Sequence, residues 1–334
     1  MTQAVAVDHD VMEQAYLEYR RACYHILYRH AERRGVIDLL RERRTVAELA
    51  SAMEILPSGA KTLRRFLGAL VRFGAVEKDD AGYRAIPDGI ADATTFDAEL
   101  IQLATGRNDI HDLIHADSYA GVVDGLYTAA NPVATSFTND HLDLWDEFLQ
   151  APFYAYHRER AAHAVGSPGA TVLDLAAGLG YGSRELLSVV GDTGEVLAVE
   201  VSKDFIGAMA GRTTELTNLH LLQANLDGGL PYLRDAAFDG AILVGAYHFL
   251  GDPESLFRDV ARVMRPGARF CLAYVFSAFD SYDRELMELR MSLREPVARC
   301  VPAGEIQALA ESNGLRETES FSIGCFGWHL LTRD

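Results

Sequence analysis

From residue 171 onward the chain alternates short apolar runs with helical segments, and no other feature limits the fold as much. Strand-like runs fall at 171–176, 195–200, 219–223, 239–245 and 269–275. Helices are expected between them, for example over 253–264, opened by Asp252-Pro253 and stopped by Pro266-Gly267. Strand, helix, strand in this rhythm dictates an α/β fold with a parallel, doubly wound sheet. The closing stretch "LRETESFSIGCFGWHLLTRD" reads as two successive strands with no helix between them.

The first part of the chain has a different pattern. Thr45 can cap a helix and Glu48 occupies the reciprocal capping-box position. Ser58 can cap a second helix, "GAKTLRRFLGALVRF", which Gly74 ends. "AVEKDDAGYRAI" then alternates around a DDAG turn. Helix, turn, helix and two-stranded wing make a winged-helix pattern over residues 1–92. Residues 93–165 carry no strand alternation and read as helical, rich in aromatic residues and histidine, up to a "GSPGA" junction. Residues 166–334 hold the sheet. With 334 residues the chain is long enough for two domains.

The charge narrows the partners. A net charge of -17 opposes an extended nucleic-acid or anionic-membrane footprint, which needs concentrated Lys and Arg. Lys61, Arg64, Arg65 and Arg72 do lie where a DNA reader would carry them, but a solvated or subunit-facing helix explains them better. Cys23, Cys271, Cys300 and Cys325 have no paired spacing, so neither a disulfide framework nor a zinc knuckle is expected, and reduced thiols suit a cytoplasmic location. The two histidines of "HDLIH" (111–115) stand one helical turn apart, but Asp112 replaces the glutamate of a metalloprotease motif, and no metal is expected. The start of the chain lacks a basic region followed by an apolar run, and "AILVGAYHFL" is too short to span a bilayer.

"TVLDLAAGLGYGSRELL" (171–187) is a strand, a glycine bend and a helix start. A dinucleotide loop wants G-x-G-x-x-G; Gly178 and Gly180 supply two glycines, and Ser183 takes the third place. Asp174 stands just before the bend, where an anion repels a pyrophosphate on the helix N-terminus. A cofactor without phosphate and with a cationic end is favoured there instead. S-adenosylmethionine has an ammonium, a sulfonium and a ribose. Glu200, closing the strand "EVLAVEV", can accept from both ribose hydroxyls.

"VLDLAAGLGYG", "VLAVEVS", "QANLDGGLP" and "FDGAILVGAYHFLGDPESLFRDVARVMRPGARFCLAYV", in this order, resemble the motifs of class I S-adenosylmethionine-dependent methyltransferases. With the winged-helix segment ahead of them, nearly the whole chain resembles the small-molecule O-methyltransferase type. The resemblance implies a Rossmann-like seven-stranded sheet and an N-terminal dimerisation domain. It also implies that Asp174, Ala176, Gly178 and Gly180 hold the methionine part, that Glu200 and Val201 hold the ribose side, and that Asn225 and Leu226 lie by the adenine. Ala176 stands at a usual glycine and is tolerable there if its φ is negative. Asn225 stands where an Asp is common, and its amide oxygen can still accept from the adenine amino group, with Asp227 as its competitor.

Acceptor chemistry is less determined. A hydroxyl acceptor usually needs a general base. The resembled enzymes often place a histidine shortly after the fifth strand, but "YVFSAFDSYDRELMELRMSL" has none. His248, with Tyr247, at the end of the fourth strand is the remaining catalytic candidate; packing near the cofactor is the plain alternative. His141, Trp145, Tyr154, Tyr156 and His157 can line an acceptor pocket or form a helix core, and Arg158 or Arg294 can meet a substrate carboxylate. A missing base also suits a thioether acceptor, such as a methylthio-hydroxy acid on the way to dimethylsulfoniopropionate, because sulfur attacks without losing a proton and aromatic faces stabilise the new sulfonium. A relative that keeps the cofactor without methylating is a further alternative. The expectation is a homodimeric enzyme that transfers a methyl group to a small molecule and releases S-adenosylhomocysteine.

Overall fold

A computed structural model describes residues 7–87, 95–107, 142–277, 279–292 and 298–334. They belong to two compact units, Met1–Thr135 with Asp280–Arg299, and Ser136–Phe279 with Cys300–Asp334.

The first unit opens with a long helix, α1 (His9–Arg33), capped by Asp8. A short helix, α2 (Val36–Leu39), leads to α3 (Val46–Ala52). Thr45 caps α3 with the full capping box, Thr45 bonding the Glu48 N–H and Glu48 reaching back to Thr45. Next comes α4 (Ala60–Arg72), entered through the 3-10 turn Pro57–Gly59, with Gly59 at the cap position. The side chain of Ser58, expected as that cap, lies outside the described residues. Beyond α4, Gly74 takes a φ of +83°, which lets the chain turn into the hairpin β1 (Val76–Asp79) and β2 (Gly82–Ala85). Helix α5 (Ala98–Thr105) packs on α1.

A later segment, α11 (Arg284–Ser292), joins this unit and packs on α4. Asp283, just before it, is fully buried with Arg20 of α1 and accepts from the Tyr16 hydroxyl at 3.1 Å. The Arg20 guanidinium lies over the rings of Tyr16 and Tyr19, so this buried charge is shared with two aromatic faces as well as a carboxylate.

The second unit contains a seven-stranded sheet. Its strands are β3 (Thr171–Leu175), β4 (Glu195–Glu200), β5 (Leu219–Gln223), β6 (Phe238–Val244), β7 (Met264–Phe276), β8 (Leu315–Ile323) and β9 (Phe326–Arg333). The spatial order is β5-β4-β3-β6-β7-β9-β8. The first five pair in parallel and the terminal hairpin β8–β9 runs antiparallel, as two strands joined without a helix must.

Alternating side chains feed two cores. Leu173, Leu175, Phe270 and Leu272 face α10 (Pro253–Val263) and α12 (Glu305–Ser312). Val172, Val196, Ile242 and Cys271 face the other way, onto α7 (Pro152–Val165) and α8 (Tyr181–Val190). Helix α6 (Leu142–Gln150) precedes α7, and α9 (Lys203–Arg212) follows β4.

Asp252 caps α10 by accepting from the Ser255 N–H. Pro266-Gly267 is not what stops this helix. The helix ends at Val263, and Met264 already pairs with Phe238 of β6. The Pro-Gly pair is absorbed in a bulge, where the pairing steps from Phe238/Met264 to Gly240/Arg269. Among the described residues no disulfide joins the four cysteines. Among the described residues no helix is long and apolar enough to cross a membrane, and no cluster of His, Cys, Asp or Glu could hold a metal ion. The "HDLIH" pair, His141 and Arg294 lie outside the described residues.

Candidate cofactor and acceptor site

The bend after β3 is built by left-handed backbone. Ala176, Gly178 and Gly180 have φ of +55°, +58° and +84°. The negative φ expected for Ala176 is thus corrected: its methyl is accommodated in a region that glycine prefers, at a cost of about 1–2 kcal/mol. Gly180 leads directly into α8. A side chain there would meet the Met209 sulfur at 2.7 Å, so α9 also requires this glycine.

Asp174 closes β3 and is 3% exposed. Ser183 donates its hydroxyl to Asp174 Oδ2 at 2.6 Å. Burial, opposed by that bond, pushes the Asp174 carboxyl up to about 7. The third-glycine role of close approach falls to Gly182, where a Cβ would stand 3.0 Å from Asp174 Oδ2. Ser183, which looked like a departure from a glycine pattern, is therefore the partner of the acid.

Glu200 closes β4. Its Oε2 accepts from the Gly178 N–H at 2.9 Å and its Oε1 from the Ser202 N–H at 2.8 Å. The Val201 N–H also bears on this carboxylate, and of its roughly four lone-pair directions one is left for a ribose hydroxyl. Burial raises its pKa while these backbone donors lower it. Val201, beside it, is 53% exposed, an apolar surface that a flat base would cover. Asn225 caps the turn Leu226–Gly228 by accepting from the Asp227 N–H at 3.1 Å, so one lone pair of its amide oxygen is used and one remains. Asp227, its competitor, accepts from the Gly251 and Asp252 N–H groups through one oxygen and so staples the next loop. Leu226 is buried. An acid for an ammonium, a carboxylate for a diol and an apolar shelf match the three parts of S-adenosylmethionine.

The pairing Leu175↔Leu243 places Gly245, just past β6, level with the glycine bend. Gly245 has a φ of +75°, and a Cβ on it would collide with the Tyr154 hydroxyl at 2.2 Å. Tyr154 thus covers the end of β6 from α7. Its ring centroid is 4.2 Å from that of Tyr274, which in turn stacks on Phe326 at 3.9 Å. Phe148, Phe153 and His157 complete this wall.

Tyr274 was not foreseen in the sequence. Strand alternation points it away from α7. A bulge intervenes: Ala273 pairs with Trp328 and Val275 with Gly327, so Tyr274 is the extra residue, with a φ of +53°. Ala273 and Tyr274 consequently both face α7, and Val275 returns to the other core.

The other acceptor candidates separate. Trp145 packs on Phe148 and Phe205, and the Phe205 ring lies 3.9 Å from where a Gly178 Cβ would be, so Trp145 covers the bend. Tyr156 packs with His157 and carries the Arg160 guanidinium over its face. Arg158 is buried and donates to the Leu149 carbonyl at 2.6 Å. Of the two catalytic candidates, Tyr247 is fully buried and its hydroxyl donates to Glu305 of α12 at 2.7 Å, which makes it a core hydrogen bond. His248 is buried in the turn after β6, 4.4 Å from the Phe249 ring.

Helix α6 is tied down by Asp146, which accepts from the Tyr181 hydroxyl at 2.8 Å and pairs with Arg212. Neither Asp146 nor Tyr181 stands out in the sequence, because their partner is set only by the packing of α6 on α8 and α9.

A family model for a methyltransferase domain matches residues 173–272. The "Ribosomal RNA large subunit methyltransferase E" of Chromohalobacter salexigens is 30% identical over 204 residues, covering 53% of this chain and 93% of that protein. The "Ubiquinone/menaquinone biosynthesis C-methyltransferase UbiE" of Shewanella oneidensis is 26% identical over 162 residues, 47% of this chain and 60% of that protein. Among solved structures, the citrinin polyketide synthase CMeT domain superposes with a TM-score of 0.64 at 13% identity, over 95% of this chain and 88% of that one. The pyocyanin biosynthetic protein PhzM superposes with a TM-score of 0.53 at 14% identity, over 94% and 95%. By sequence motif, sheet order and these matches, the chain belongs to the class I S-adenosylmethionine-dependent methyltransferases, which bind S-adenosylmethionine and leave S-adenosylhomocysteine.

Proposed function

We propose that the protein methylates a small, largely apolar molecule held between the aromatic wall on α7 and the ends of β6 and β7. The observation that carries this reading is Tyr154, whose hydroxyl closes over Gly245 beside the cofactor bend. When bound, S-adenosylmethionine supplies an electrophilic methyl on a positively charged sulfur that leaves as a neutral thioether. The chain's own part is alignment and exclusion of water. Asp174 and Glu200 fix the two ends of the cofactor, and the aromatic wall keeps the reaction path dry.

The relatives' names point two ways, to ribosomal RNA and to C-methylation in ubiquinone/menaquinone biosynthesis. The net charge of -17 speaks against RNA, while an aromatic wall suits a flat or soft small molecule. A thioether acceptor is the second reading. It is favoured by the absence of histidine from residues 274–293 and by the rings of Tyr154, Tyr274 and Phe326, whose faces stabilise a new sulfonium. For a hydroxyl acceptor, His248 is the base to test, because Tyr247 is committed to Glu305.

The first unit, with its helices and β1–β2 hairpin in winged-helix order, is read as a dimerisation domain over 1–92, and 93–165 as the segment that covers the acceptor. A monomer mass at micromolar concentration would sink the dimer.

The deciding test is methyl-labelled cofactor with a panel of quinols, phenols, amines and thioethers. Label moving to a small acceptor supports the transferase reading. Label in RNA alone, or cofactor binding with no transfer to any acceptor, would replace it with a nucleic-acid enzyme or a non-methylating relative.

A further inference from the structure

A guanidinium is rarely buried without an anion, because the lost hydration must be replaced. Arg158 of α7 is 5% exposed. Among the described residues its one protein hydrogen bond runs from Nη1 to the Leu149 carbonyl, and its buried Nε has no partner there. Glu185 and Glu159 act on it through space, without a hydrogen bond. The charge is therefore underpaired inside the protein.

Its surroundings indicate what is missing. The guanidinium lies 5.2 Å from the ring centre of Tyr181, the first residue of α8 and the one that follows Gly180. Leu149, whose carbonyl it holds, places Cδ1 3.8 Å from where a Gly178 Cβ would be. The Asp174 carboxyl feels the Arg158 charge. One buried cation and one buried acid thus flank the same glycine bend. The methionine end of S-adenosylmethionine is a zwitterion, with an ammonium and a carboxylate on one carbon.

We infer that Arg158 is the carboxylate-binding residue of the cofactor site, pairing with the methionine carboxylate while Asp174 takes the ammonium. This moves Arg158 from the acceptor to the cofactor, and it rests on the cofactor assignment alone, whatever the acceptor proves to be. A guanidinium suits the role better than an ammonium, because its planar fork matches a carboxylate through two parallel bonds. The Leu149 bond then has a second consequence: the residue that grips the cofactor also holds the end of α6, so cofactor binding and closure of α6 over the bend share one side chain.

The test crosses three proteins with two ligands. Calorimetry would give affinities of the wild type, Arg158→Met and Arg158→Lys for S-adenosylmethionine and for decarboxylated S-adenosylmethionine, which lacks only the carboxylate. The wild type is expected to prefer the intact cofactor by roughly 10- to 100-fold, the range of a charge-assisted pair. Arg158→Met should erase that preference while binding the decarboxylated ligand within about threefold of wild type. Arg158→Lys should keep part of it, and its folding guards against a collapsed Met variant. An equal loss for both ligands would make Arg158 a brace for α6, and an unchanged preference would return it to the acceptor; either overturns the proposal. Wild-type protein that binds neither ligand would instead overturn the cofactor assignment.

Discussion

Ser183 Oγ lies 2.6 Å from Asp174 Oδ2, and this bond joins the first turn of α8 to the end of β3 beneath the glycine bend. Among the described residues it is the one side-chain hydrogen bond to a carboxyl that burial otherwise disfavours, with a pKa raised to about 7. The acid is thereby held ready for a cation at the cost of being half protonated near neutrality.

Cofactor affinity should accordingly depend on pH. A carboxyl with a folded pKa near 7 is mostly neutral below it, and a bound ammonium requires the charged form. Binding below pH 7 must then release a proton, and affinity should rise by up to about tenfold per pH unit between pH 6 and 7 before levelling. For the free protein the sign is opposite. An acid raised above its unfolded value stabilises the fold at low pH and loses that contribution as pH climbs from about 4 to about 7. Calorimetry in buffers of different ionisation enthalpy would count the released proton, and a count of zero at pH 6 would contradict the assignment.

Ala176→Gly should stabilise the free protein. Its φ of +55° costs an alanine about 1–2 kcal/mol, and the extra chain entropy of glycine takes back about 0.5–1 kcal/mol. A gain of about 0.5–1 kcal/mol in urea unfolding is expected, whereas Gly178→Ala, at φ +58° and with no atom closer than 3.8 Å, should lose about 1 kcal/mol from backbone strain alone.

Gly245→Ala should be severe, and Tyr154 should be the reason. The new Cβ would stand 2.2 Å from the Tyr154 hydroxyl, and φ is +75°. Overpacking and strain together cost about 3 kcal/mol. Adding Tyr154→Phe removes the colliding oxygen and leaves the ring carbon at 2.9 Å, so the double variant should recover about 1 kcal/mol relative to additivity. Strict additivity in a double-mutant cycle would show that Tyr154 does not sit over Gly245.

Tyr274 offers a reversed ranking. In ordinary strand backbone an alanine is better than a glycine, but at φ +53° the order should invert. Tyr274→Ala and Tyr274→Gly both lose the stacking on Phe326, about 3–5 kcal/mol of ring packing, and the glycine variant should be the more stable by about 1 kcal/mol. Two melting curves decide this, and an alanine advantage would mean that the bulge relaxes without the ring.

The sequence by itself determined the features whose causes are local or periodic. Thr45 and Glu48 cap one helix because four consecutive residues contain the whole device, and Asp174, Gly178, Gly180 and Glu200 could be read because strand, bend and helix follow within thirty residues. Tertiary structure alone decided whatever depends on a partner far along the chain. Arg158 faces the glycine bend, and Tyr247 is spent on Glu305, 58 positions away. Tyr274 is turned onto α7 because it is itself the unpaired residue opposite the Trp328–Gly327 step of the terminal strand. Periodicity says which face a residue should take. A bulge changes that face, and it arises from a mismatch between two strands that the sequence presents separately.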